Sequence, residues 1–248
     1  MASYWKWIIS TLGPVAWQPK GSDRFEASQV SLARIASFLP DLYPFLERPV
    51  HRFGSDVHRI VYAGELSPES NAADVLPSLS LWAERNPDRQ LDVVWIGEGE
   101  LSGVLQAQPL PDNMSHRFLG RLDRPAVAAS FARFGILIAP NPVQDCPSLA
   151  AEALAAGLVV IGSRHDPVCA RAREAGLGVW TVDPLYPNDL LQAFERVLAR
   201  SLDELNRLRA DGRAFVSRMR SCGLEDIRTA PEPVPLVGAT ERLANSPA

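Results

Sequence analysis

Residues 135–163, GILIAPNPVQDCPSLAAEALAAGLVVIGS, decide the fold. GILIA is an apolar run of strand length, and Pro140 and Pro142 stop regular structure after it. Proline has no N–H and restricts the residue before it. Residues 148–156, SLAAEALAA, are rich in the strongest helix formers. Gly157 stands where a helix-terminating glycine is expected, and LVVIG reads as a second buried strand. Two parallel strands joined by a helix put the first loop and the helix N-terminus at the C-terminal edge of a sheet, where α/β folds bind ligands. Free N–H groups and partial positive charge at such a terminus suit a phosphate. The amides near Pro147 and Ser148 are therefore expected to face one. Glu152 lies one turn further in, placed to accept hydrogen bonds from hydroxyl groups in the same crevice.

The pattern repeats on both sides of this unit. RIVYAG (59–64), LDVVWIG (91–97), SHRFLG (115–120) and GVWTV (178–182) read as further strands. Between and after them, helical spacing predicts helices over 71–84, 101–106, 125–133, 167–175, 188–199 and 202–220, with Pro77 tilting or interrupting the first. Strands alternating with helices imply one doubly wound, mostly parallel sheet covered on both faces, with about six strands. This Rossmann-like domain is expected over 58–221. The proline-bearing remainder, 222–248, is expected to be disordered.

The first 57 residues form an N-terminal extension and connector. They are too few for a second Rossmann-like domain. A helix is expected over 28–39, then an irregular connector over 40–57 broken by Pro40, Pro44 and Pro49. Residues 4–17, YWKWIISTLGPVAW, hold three of the six tryptophans. This segment is expected to pack on the domain, on a second copy or on a partner. Membrane-surface attachment through the tryptophans is the alternative, weakened because Lys6 is the only basic residue nearby.

Composition excludes several classes. The net charge is −4, so there is no basic footprint for nucleic acid. Cys146, Cys169 and Cys222 are odd in number and widely spaced, which suggests neither a disulfide framework nor a zinc site. A reducing, cytoplasmic setting is the simplest reading. No apolar run of about 18 residues predicts a membrane span, leaving at most peripheral membrane contact. The four histidines lack metal-ligand spacing, and Asp92 and Glu98 read as surface carboxylates. Gly97-Glu98-Gly99 with Gly103 superficially resembles a dinucleotide fingerprint, but Glu98 and Glu100 would meet the pyrophosphate and the strand is not the first of its unit.

Taken together, residues 58–220 resemble the C-terminal, nucleotide-sugar-binding half of GT-B glycosyltransferases, family 4 above all. RIVYAGEL, LDVVWIGEGE and RFLGRLDRPAVAASFARFGILIAPN are similar to the family's successive strand units. Pro140-Asn141 stands at its Pro-Ser, Gln144 at its first Glu, and Glu152-Ala153 at its second Glu-Ala. The resemblance implies that Glu152 binds the ribose of a nucleotide sugar and that Gln144 contacts the donor sugar. It implies a donor that is substrate rather than cofactor, with no metal required. Two departures stand out. The family's basic residues that hold the donor diphosphate correspond here to Glu65 and Ser70. Arg121 and Arg164, on other loops, are the cations that would substitute. His165 and Asp166, in the loop resembling the family's sugar-facing loop, are either ligand contacts or part of a solvated turn. Three functions remain open: a hexosyltransferase, a donor-binding subunit that needs a separate acceptor-binding chain, and a non-catalytic interaction module. Catalytic residues are not assignable from the sequence.

Overall fold

The structure is a computed structural model that describes residues 42–49, 54, 58–141, 148–183 and 186–229. Within it lie the strands β1 (Arg59–Ala63), β2 (Leu91–Ile96), β3 (Met114–Phe118), β4 (Ile136–Ala139), β5 (Val159–Ser163) and β6 (Val179–Val182). All are parallel to their neighbours. The sheet order is β3-β2-β1-β4-β5-β6. The helices are α1 (Tyr43–Leu46), α2 (Ala72–Arg85), α3 (Ser102–Gln106), α4 (Arg124–Phe131), α5 (Ser148–Ala156), α6 (Pro167–Glu174), α7 (Pro187–Leu198) and α8 (Leu202–Thr229). The doubly wound parallel sheet expected from the sequence is the one found.

Burial on both faces explains the near-continuous apolar strands. Along β1, Ile60 and Tyr62 face one layer with α2, α3 and α7, while Val61 and Ala63 face the other with α1, α4, α5, α6 and α8. The same alternation runs through Val93 and Val94 on β2, and Ile138 and Leu137 on β4. The alanines of α5 let its neighbours approach closely. A Cβ on Gly212 of α8 would meet Leu154 Cδ2 at 2.9 Å. Gly157, at φ 80°, ends α5 in the left-handed region. Leu158 N–H then donates back to Ala153 O, and Arg209 Nε donates to the carbonyl of Gly157.

Three expectations are corrected. The connector over 40–57 is not wholly irregular: it carries α1, whose Phe45, with Leu42 before it, is fully buried against α4 and α5. Two large apolar side chains near the fold gain more by burial than the local prolines lose. Next, α2 is continuous through Pro77. Finally, α8 runs on to Thr229, past the expected start of the tail at 222, because no proline occurs before Pro231. The expected helix over 28–39 and the tryptophan-rich segment 4–17 lie outside the described residues. Among the described residues, no helix is long and apolar enough to cross a membrane.

Candidate functional site

The strand order reverses direction between β1 and β4. From β1 the chain passes to α2 on one face, and from β4 to α5 on the other. Loops that diverge in this way open a crevice at the C-terminal ends of the two strands, the ligand position in doubly wound sheets.

The floor of the β1 side is built by main chain. Gly64 N–H donates to Ile96 O at 3.0 Å, Leu66 N–H to Glu98 O at 3.0 Å, and Gly97 N–H to Gly120 O at 2.9 Å. These bonds knit the loops after β1, β2 and β3 together. Two glycines make the approach feasible: a Cβ on Gly97 would lie 1.9 Å from Gly64 O, and one on Gly99 would lie 2.3 Å from Leu66 O. The Gly97-Glu98-Gly99 sequence is thus a loop-packing device. Beneath it, the Tyr62 hydroxyl donates to Glu65 O at 2.8 Å and bonds Ser70 Oγ at 3.2 Å. Burial pushes the Tyr62 phenol up to about 12, so it remains a donor.

Glu65 and Ser70, the two positions where cations were expected, have different fates. The Glu65 side chain is exposed on the loop after β1. Ser70 is buried, and its hydroxyl donates to Ser67 O at 2.7 Å while accepting from Ser67 N–H at 3.3 Å. It closes the 3-10 turn Pro68–Ser70 as half of a capping box, and so is committed inside the fold. Glu98 and Glu100 are exposed on the neighbouring loop. Glu98 Oε1 accepts from Arg121 N–H at 3.3 Å, and the Arg121 side chain is exposed.

On the β4 side, Glu152 of α5 is buried, with 6% of its surface exposed. An exposed helix carboxylate, the ordinary fate of such a residue, is therefore ruled out. Its partner is Arg124, the first residue of α4. Arg124 donates to Glu152 Oε1 from Nε at 3.0 Å and from Nη2 at 2.6 Å. Burial pushes the Glu152 carboxyl above the usual carboxylate range, and Arg124 pulls it back. The guanidinium sits 5.7 Å from the ring centroid of Phe45 on α1, and Phe45 packs on Phe131 at 6.0 Å. Asp123 fixes the start of α4 by accepting Ala126 N–H at 2.8 Å. Phe45 of α1, Arg124 of α4 and Glu152 of α5 thus stand in series, ring to guanidinium to carboxylate.

The remaining expected site residues are dispersed or undescribed. Gln144 and Pro147 lie outside the described residues, as does the side chain of Ser148. His165 is exposed at the end of β5, with its N–H donating to Ser163 Oγ at 3.1 Å. Asp166, by contrast, points inward. It is 1% exposed and caps α6, its Oδ1 accepting Cys169 N–H at 2.8 Å. Burial pushes its carboxyl up to about 6 against the pull of that bond. Arg164 is paired with Asp183 at 2.8 Å. Among the described residues, no cluster of three metal-ligating side chains occurs.

A six-stranded parallel sheet of order β3-β2-β1-β4-β5-β6, covered by helices on both faces, is the architecture of one half of a GT-B fold. The family model described as Glycosyl transferases group 1 matches residues 57–200. The chain belongs to that family. No curated protein matches the sequence. The fold is similar to the C-terminal domain of a glycosyl transferase group 1 family protein, LpcC, from Francisella tularensis, with TM-score 0.52, 15% identity, and 64% of this chain and 84% of that one covered. It is also similar to sucrose-phosphate synthase from Thermosynechococcus elongatus, with TM-score 0.54, 18% identity, and 71% of this chain and 45% of that one covered. A third likeness is to an E. coli trehalose-6-phosphate protein bound with UDP-2-fluoro glucose, with TM-score 0.55, 14% identity, and 83% and 51% covered. The chain therefore spans about half the length of the latter two structures.

Proposed function

We propose that this chain is the donor-binding half of a glycosyltransferase: it binds a nucleotide sugar at the β1/β4 crevice and serves transfer of a hexose with a separate acceptor-binding chain or a second copy. The observation that carries this reading is Glu152, a carboxylate 6% exposed yet kept in an ion pair on the helix after β4. A helix position packed among alanines is more simply filled by another apolar residue, because burying a charge is costly. A role toward ligand hydroxyls accounts for the exception. The E. coli structure holds a UDP sugar, which makes a nucleoside diphosphate sugar the class to try first. The donor enters as substrate, and the reading calls for no metal or other cofactor. A cytoplasmic setting is proposed on the cysteine usage.

A second reading, a non-catalytic interaction module, is favoured by one observation. The loop after β1 presents the Glu65 carboxylate and no Lys or Arg. A carboxylate repels a diphosphate where charge-assisted bonds would otherwise hold it.

The experiment is calorimetric titration of the full chain with UDP, GDP, ADP and their hexose conjugates. Saturable binding by one nucleotide series, weakened by Glu152→Ala, supports the donor site. Absence of binding in every series, persisting in Glu65→Arg, leaves the interaction module as the better account.

A further inference from the structure

We propose that Arg124 is a positioning residue for the ligand-binding carboxylate, gripping Oε1 of Glu152 with two donors so that Oε2 is kept for the ligand's hydroxyls. This rests on the donor-site reading of Glu152. Both arginine bonds end on the same oxygen, Nε at 3.0 Å and Nη2 at 2.6 Å. The grip of Arg124 leaves Oε2 outside it. Arg124 is the first residue of α4, whose start is fixed by Asp123 accepting from Ala126 N–H, and its guanidinium lies 5.7 Å from the Phe45 ring centroid. The Phe45 ring is itself fully buried.

The chemistry needs such a residue. A carboxylate sunk between helices tends to take up a proton, and a protonated carboxyl offers a poorer acceptor to a hydroxyl. A fixed guanidinium keeps it ionised and fixes its plane. Other arginines near α5 are already engaged: Arg209 with Gly157 O, Arg213 with the carbonyls of Leu46 and Arg48, Arg171 with Glu174. The Arg124 side chain is 40% exposed, so its outer edge borders solvent. A mere tie between α4 and α5 is the competing role, and it would affect stability without affecting the ligand.

The test is calorimetry of the full chain with UDP, GDP and ADP, using wild type, Arg124→Gln, Glu152→Gln and the double variant. Arg124→Gln is expected to weaken the best-bound nucleotide about tenfold, the lower end for hydrogen bonds to a charged group. If Arg124 acts through Glu152, the double variant binds like Glu152→Gln alone, because coupled groups are not additive. Arg124→Lys keeps the charge without the two-pronged grip and is expected to fall between wild type and Arg124→Gln; it carries the comparison if Arg124→Gln does not fold. Additive losses would overturn the proposal, since Arg124 would then touch the ligand itself. A lowered melting temperature with unchanged affinity would overturn it as well, leaving a packing tie. Failure of both the wild type and Glu65→Arg to bind any of the three nucleotides or their hexose conjugates removes the donor-site reading and this role together.

Discussion

The carbonyl oxygen of Gly64 occupies the space a side chain on Gly97 would need, 1.9 Å from where its Cβ would stand. These residues end β1 and β2, and their contact sets how closely the two loops approach beside the crevice.

Gly97→Ala should therefore be severely destabilising. Gly97 also has φ 134°, a conformation that L side chains rarely adopt, so strain adds to the clash. A loss on the order of 3 kcal/mol in urea unfolding is expected. Gly103→Ala is the control. Its Cβ would meet nothing within 4 Å and it lies in α3, so a gain of up to about 1 kcal/mol is expected. Equal effects at the two positions would contradict this packing.

Asp166 gives the fold a pH dependence of unusual sign. Its carboxyl is pushed up to about 6 in the folded state from an ordinary 3.8. The folded state thus takes up a proton before the unfolded chain does, and this group's contribution improves as pH falls and is lost as pH rises through about 6. Asp166→Asn keeps a good helix cap and removes the buried charge. The variant should be the more stable protein at pH 7.5, with the gap narrowing on acidification and closing near pH 4, in thermal melts across that range. A constant gap would mean that the carboxyl titrates normally.

Glu152→Ala and Glu65→Arg should move nucleotide affinity in opposite directions. The first removes hydrogen bonds to a charged group, expected to cost roughly 10–150-fold. The fold is expected to survive the change, since alanine is a better helix former and Arg124 keeps access to solvent. The second puts a cation beside the diphosphate and should tighten binding. Isothermal titration reads both signs, and a shared sign would count against the site.

Phe45→Ala tests whether α1 belongs to the folding unit. Truncating a fully buried aromatic ring is expected to cost about 3–5 kcal/mol in denaturant unfolding. A negligible cost would mean that α1 only rests on the domain.

The sheet was legible because its strands are buried on both faces and announce themselves as unbroken apolar runs such as ILIA and VVIGS. Gly157 was legible because only a special backbone angle explains a glycine there. Arg124 was missed because its partner lies 28 residues away, and nothing local marks an arginine at the head of a helix as the mate of a distant glutamate. Its position just after Asp123, a helix-capping residue before Pro125, was the available clue. Ser70 read as a degraded cation site. The turn Ser67-Pro68-Glu69-Ser70 carries its own reason for a serine, a hydroxyl closing a capping box. Phe45 sits among prolines, and the burial that outweighs them is apparent only in the folded chain.

Arg213 of α8 donates to the carbonyls of Leu46 and Arg48 at the end of α1, clasping the incoming chain to the outgoing helix. The chain thus enters the domain at a fixed anchor whose Phe45 touches Arg124, the partner of Glu152. The clasp therefore reaches the site through one ring: whatever loosens α1 from α8, as Arg213→Ala would, also frees the Phe45 ring against which the Arg124 guanidinium is set.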